Sequence, residues 1–139
     1  MAAAGRERPP IDWDSLTFSF TETDRMFVAN GSWEDGWSEG RMVDFQPLNL
    51  SPAACVLNYG QGLFEGMKAR RTPDGKITLF RPEMNAKRAA EGARRLVMPE
   101  VSESMFIKAV KKVAEENKRW VPPHAVSYTH LTLPTISRV

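Results

Sequence analysis

The run Asn58-Tyr59-Gly60-Gln61-Gly62-Leu63-Phe64-Glu65-Gly66 places three glycines around two aromatic side chains and a carboxylate. Glycines at fixed positions free the backbone while the residues between them are presented outward, a pattern suited to building a site. A tight turn entering a strand, with Phe64 filling the core, uses the same residue types. Arg88 is one of several charged residues opposite an apolar helical stripe. By spacing alone it reads as a solvated helix-face residue near Glu91. Cys55 is the only cysteine and stands among apolar neighbours with no base nearby, which predicts a small buried hydrophobe rather than a nucleophile. No Cys or His cluster has the spacing of a metal site.

The chain around these residues has 139 positions, enough for one domain with a modest core. With 19 Lys and Arg against 17 Asp and Glu, the net charge of +2 gives no argument for nucleic acid or an anionic membrane surface. No stretch has the length and apolarity of a membrane helix, and the first ten residues lack the apolar run of a secretory signal. They are expected to form a disordered arm. A lone cysteine favours a reducing compartment, with the cytoplasm preferred and an organelle open.

The elements expected to carry the site follow from periodicity. Leu16, Phe18 and Phe20 alternate as in an extended segment, and Arg25 to Ala29 reads as a strand stopped by a turn at Asn30-Gly31. Ser32 to Gly40 reads as a surface loop pinned by Trp33 and Trp37, and Arg41 to Leu48 as a further strand. Ser51 as N-cap with Pro52 at the first helical position predicts a short helix over 53–57, ended by Gly60. A strand over 63–71, the turn Thr72-Pro73-Asp74-Gly75 and a strand over 76–80 predict a β-hairpin.

Pro82 then opens a helix with Ala86, Ala89, Ala90, Ala93, Leu96 and Val97 on one stripe, and Glu91 and Arg95 placed to pair. A second helix starts at Ser102 and carries Phe106, Ile107, Val110, Val113 and Ala114 inward, to about Trp120. The fold class is therefore α+β, an antiparallel sheet with a hairpin packed by two helices. Residues 124–139 change character, contain no acidic residue and hold both histidines.

Residues 46–123 resemble the small N-terminal domain of the branched-chain amino-acid aminotransferases, pyridoxal-phosphate enzymes of fold-type IV. The resemblance rests on Leu50-Ser51-Pro52-Ala53-Ala54, on Asn58 through Ala69, on Leu79-Phe80-Arg81-Pro82-Glu83 with Asn85-Ala86-Lys87-Arg88, and on Asn117 through Pro123. It implies that Arg88 binds the phosphate of pyridoxal 5'-phosphate, which suits a planar fork of donors that stays charged. It also implies that Tyr59 and Phe64 line the pocket for the substrate side chain. Glu65 and Lys68 match the motif but receive no chemical role from the residues themselves.

The activity implied is transfer of the amino group of Leu, Ile or Val to 2-oxoglutarate, by a homodimer when full length, with the cofactor supplying the electron sink. The family's cofactor-bearing lysine lies in a large C-terminal domain that is absent here, so no catalytic residue is expected within this chain. Residues 11–123 are expected to form the small domain and residues 124–139, which match nothing in the family, a non-native tail. Two other readings use the same residues: a related enzyme acting on D-amino acids or aminodeoxychorismate, and a non-catalytic module for dimerisation or interaction.

Overall fold

The computed structural model describes residues 10–15 and 20–124, and the backbone of 135–136. The expected N-terminal arm, most of the alternation at Leu16 and Phe18, and nearly all of the expected tail lie outside the described residues.

Strand β1 (Arg25–Val28) pairs antiparallel with β4 (Arg41–Asp44), and between them β2 (Gly31–Ser32) pairs with β3 (Gly36–Trp37). The four strands make one long, interrupted hairpin. Its tip lies at 33–35, where Ser32 Oγ accepts from the Asp35 N–H at 2.9 Å, and not at Asn30-Gly31 as the turn signal predicts. Gly31 serves close approach instead: a Cβ there would stand 2.6 Å from the Trp37 ring. Trp37 also pins the hairpin to the main body by donating to the Glu100 carbonyl at 3.0 Å, whereas Trp33 stays exposed.

Helix α1 (Cys55–Tyr59) starts later than its sequence signal. Ser51 Oγ accepts from the Ala53 N–H, and the Asn58 amide donates to the carbonyls of Pro52 and Ala54. These side-chain bonds hold 51–54 as a turn, so the helical ladder begins one turn on. Gly60 ends α1 in the left-handed conformation, φ 65°, as expected. Cys55 is exposed on the first turn and is not the buried hydrophobe the sequence suggests, because α1 buries none of its residues.

The expected long strand after α1 divides into β5 (Phe64–Glu65) and β6 (Ala69–Arg71). The Gly66 carbonyl is taken by Asn85 Nδ2 at 3.0 Å, which draws the chain toward the following helix. β6 pairs with β7 (Ile77–Leu79) across Thr72-Pro73-Asp74-Gly75, the hairpin foreseen from the turn residues. β5 pairs at backbone level with β8 (Thr135–Ile136). The chain is thus α+β, its described strands forming four separate two-stranded antiparallel ladders.

Helix α2 (Pro82–Arg95) and helix α3 (Glu103–Glu116) pack on each other, and a single turn of 3-10 helix (Lys118–Trp120) follows. α2 presents Ala86, Ala89 and Ala93, whose short side chains allow close approach, and α3 fills the space with Phe106, Val110 and Ala114. Met67 joins them, and Leu63, Leu79 and Val101 pack against the cluster. Ser102 caps α3 by accepting from the Met105 N–H, as its sequence signal requires.

α2 ends in a Schellman motif: the Met98 N–H reaches the Ala93 carbonyl at 2.9 Å and the Val97 N–H reaches that of Arg94 at 3.2 Å. The motif needs a left-handed residue, and Val97 takes that place at φ 53° with its side chain 70% exposed. A β-branched residue is strained there by roughly 1 to 2 kcal/mol. Val97→Gly is expected to raise stability by about 1 kcal/mol in urea unfolding, since the added chain entropy offsets part of the relief. An unchanged or lower midpoint would show that no strain is stored at this cap.

Candidate functional site

β5 and the first turns of α2 meet at Glu65. Strand alternation turns Phe64 outward and Glu65 inward, so that the aromatic is 82% exposed and the carboxylate 5%. On α2, Asn85 and Arg88 lie three residues apart and therefore share a face. Asn85 Nδ2 donates to Glu65 Oε2 at 2.8 Å and Arg88 Nε to Oε1 at 2.7 Å, while Arg88 Nη2 closes a second bond to Oε2. The result is a bidentate guanidinium–carboxylate fork with one buried and one exposed partner.

The Arg88 side chain is 64% exposed, and its Nη1 makes no hydrogen bond among the described residues. The Glu65 carboxylate, through its hydrogen bonds and then its charge, holds the Arg88 pKa above its ordinary value. Arg88 is therefore a fixed cation with an open outer edge, a donor set that fits phosphate oxygens. Arg88 is thus more than the solvated helix-face residue its spacing suggests, since it pairs with Glu65; Glu91 pairs with Arg95 at 2.6 Å, as foreseen. The sequence offers no direct signal for the Glu65–Arg88 pair, because 23 residues separate the two.

Tyr59 is 86% exposed at the end of α1, and its hydroxyl has no hydrogen-bond partner among the described residues. Neither Tyr59 nor Phe64 fills the core formed by the described residues. The structure brings Arg88 and Asn85 to Glu65, with Phe64 on the opposite, exposed face of β5; no hydrogen bond ties Tyr59 to either Phe64 or Arg88. Val56, Leu57, Phe80 and Met84 are further apolar side chains left exposed on α1 and around the start of α2. Gln61 donates to the Leu96 carbonyl at 2.7 Å, which fastens the glycine-rich run to the end of α2. Among the described residues no group of His, Cys, Asp and Glu could hold a metal, and no helix is long and apolar enough to cross a membrane.

No family model matches the chain. The curated relatives are decisive: it is 49% identical over 81% of its length to the methionine aminotransferase BCAT4 of Arabidopsis thaliana. It is 50% identical over 84% to the chloroplastic branched-chain amino acid aminotransferase 2 of Humulus lupulus. It is 46% identical over 84% to the mitochondrial branched-chain-amino-acid aminotransferase 1 of Arabidopsis thaliana. This chain is homologous to a segment of the branched-chain amino-acid aminotransferases. The chain spans about three tenths of the length of these relatives, 32%, 29% and 30% respectively. It agrees with the family resemblance of the Asn58–Ala69 and Leu79–Arg88 motifs.

Proposed function

We propose that residues 11–123 are the small domain of a pyridoxal-phosphate-dependent branched-chain aminotransferase, with 124–139 outside it. The observation that carries this is Arg88: a guanidinium locked along one edge to Glu65, its side chain 64% exposed and its Nη1 making no hydrogen bond among the described residues. Arg88 holds the cofactor phosphate by charge-assisted hydrogen bonds, and Tyr59 and Phe64 supply apolar walls for the substrate side chain. The cofactor, when bound, supplies the electron sink for transamination.

The substrate class is an amino acid with an aliphatic side chain of leucine, isoleucine or valine size, paired with its 2-oxo acid, and 2-oxoglutarate or glutamate as the exchange partner. The unbranched thioether of methionine has similar bulk, and one similar relative bears the name methionine aminotransferase. The full-length assembly is a homodimer in a reducing compartment. Chloroplastic and mitochondrial relatives make an organelle a natural setting.

The test is a chimera in which the matching segment of the Humulus lupulus chloroplastic enzyme is replaced by residues 20–123 of this chain. The chimera is expected to bind pyridoxal phosphate and transaminate leucine. Arg88→Ala should weaken cofactor binding by about tenfold or more, the scale of a lost hydrogen bond to a charged group. A chimera that folds and binds cofactor equally well with and without the Arg88 side chain would remove the assignment.

A further inference from the structure

Three arginines on the outer face of α2 pair with carboxylates, and only one of those carboxylates is buried. Arg94 meets Glu100 and Arg95 meets Glu91 with both partners open to solvent, pairings that constrain a long side chain weakly. Glu65 differs. It borders a gap lined by the apolar side chains of Leu63, Ala89 and Phe106, and accepts three N–H bonds, two from Arg88 and one from Asn85. The Asn85 amide also holds the Gly66 carbonyl, so the carboxylate is tied to its own backbone through a neighbour. A buried charge is tolerated only when paired and hydrogen-bonded, so Glu65 fixes where the guanidinium stands. The bidentate fork fixes its plane as well as its distance.

We propose that Glu65 is a positioning residue for the cofactor phosphate, acting through Arg88, with Asn85 as its brace. It occupies the Nε and inner Nη2 hydrogens and so presents Nη1 and the outer Nη2 hydrogen at a set place. The cost of ordering a long arginine side chain is then met in the fold, before any ligand arrives. The same arrangement accounts for the residue type: lysine, a point charge on a flexible stem, cannot serve a buried carboxylate on one edge and a phosphate on the other. This inference rests on the assignment of Arg88 to the phosphate.

The experiment is a double-mutant cycle in the full-length chimera, with Glu65→Gln, Arg88→Ala and both together. The readouts are the dissociation constants of the apoenzyme for pyridoxal phosphate and for pyridoxal, which lacks the phosphate. Glu65→Gln is expected to weaken pyridoxal phosphate about fivefold or more, the scale of coupling between residues in contact. It should leave pyridoxal within about twofold and add nothing once Arg88 is alanine. Equal losses for both ligands, or a loss that persists in the Arg88→Ala background, would reduce Glu65 to a structural role and overturn the proposal.

If Arg88→Ala weakens binding and Glu65→Gln does not, positioning fails while the phosphate assignment stands. If Arg88→Ala has no effect, both fall. Asn85→Ala, which keeps the Glu65 charge but removes its brace, answers the same question should Glu65→Gln not fold. It is expected to cost about two- to threefold for pyridoxal phosphate alone, and an equal loss for pyridoxal would overturn the proposal.

Discussion

Phe106→Ala is expected to lower the stability of the chain by about 4 kcal/mol, the middle of the range for deleting a buried aromatic ring. The cost of such a deletion depends on how well the surroundings collapse. Around Phe106 they cannot. The facing residues of α2 are Ala86, Ala89 and Ala93, which have no side-chain torsions with which to fill a void. Phe106 already lines a gap of about 10 Å³ with Leu63, Ala93 and Met98, and its removal would join that gap to a larger cavity. Glu65 lies on the same lining, so the enlarged cavity would also disturb the carboxylate that pairs with Arg88. Urea unfolding followed by far-UV circular dichroism gives the number, and Phe106→Leu, which keeps most of the volume, should cost only about 1 kcal/mol. A loss below about 2 kcal/mol for the alanine variant would mean that α2 and α3 close the gap by sliding together.

Asn117→Leu is the second large effect, expected at about 3 kcal/mol. The side chain is 2% exposed and uses both ends of its amide. Oδ1 accepts from the backbone N–H groups of Asp24 and Arg25, and Nδ2 donates to the carbonyls of Arg25 and Val113. One amide thus pins the entry of β1 to the last turn of α3. Leucine has similar volume and no polar atom, so it removes the acceptor of the Asp24 and Arg25 N–H groups and the side-chain donor of the Arg25 carbonyl, while the Val113 carbonyl keeps the residue 117 N–H at 3.0 Å. Asn117→Asp separates the two ends of the amide: it keeps the acceptor for Asp24 and Arg25 but turns an oxygen toward two carbonyls. Both variants should lower the urea midpoint, and the protection of the Asp24 and Arg25 amides in hydrogen exchange should fall most with leucine. If leucine were neutral, the β1 entry would be held by its pairing with β4, by the Arg25 bridges to Asp44 and Glu116 and by the Asp24 bridge to Arg119.

The relation between the two predictions and the site is one of layers. Phe106 and the alanine face of α2 set the height of that helix over β5, and this height decides whether Arg88 reaches Glu65. Asn117 acts farther away, holding the long hairpin of β1 and β4 to α3. A change there should lower stability with little effect on the Glu65–Arg88 fork.

Much of the local structure is legible in the chain. The 72–75 turn names the β6–β7 hairpin because proline and glycine fix its dihedral angles. The two helices announce themselves by three- and four-residue apolar steps, and Ser102 marks the start of α3 because its hydroxyl meets an otherwise unpaired N–H. The family motif is also a property of the sequence, and the identities to the aminotransferases bear it out. Signals that depend on competition between bonds are read less well. Asn30-Gly31 has the composition of a turn, yet the ring of Trp37 claims Gly31 for a flat contact. Ser51-Pro52 has the form of a helix start, yet the Asn58 amide takes the carbonyl of Pro52 and delays the helix.

By itself the sequence determined the two-helix core, the β6–β7 hairpin and the likeness to the aminotransferases, because these follow from periodicity, capping and local motifs that a chain carries wherever it folds. Only the tertiary structure decided that Arg88 pairs with Glu65, that Tyr59 and Phe64 stand outside the core of the described residues, and that Cys55 is exposed. Each of these depends on which face of a short strand or helix meets another element 20 or more residues away. Residue type and local spacing hold no record of that until α2 packs down on β5.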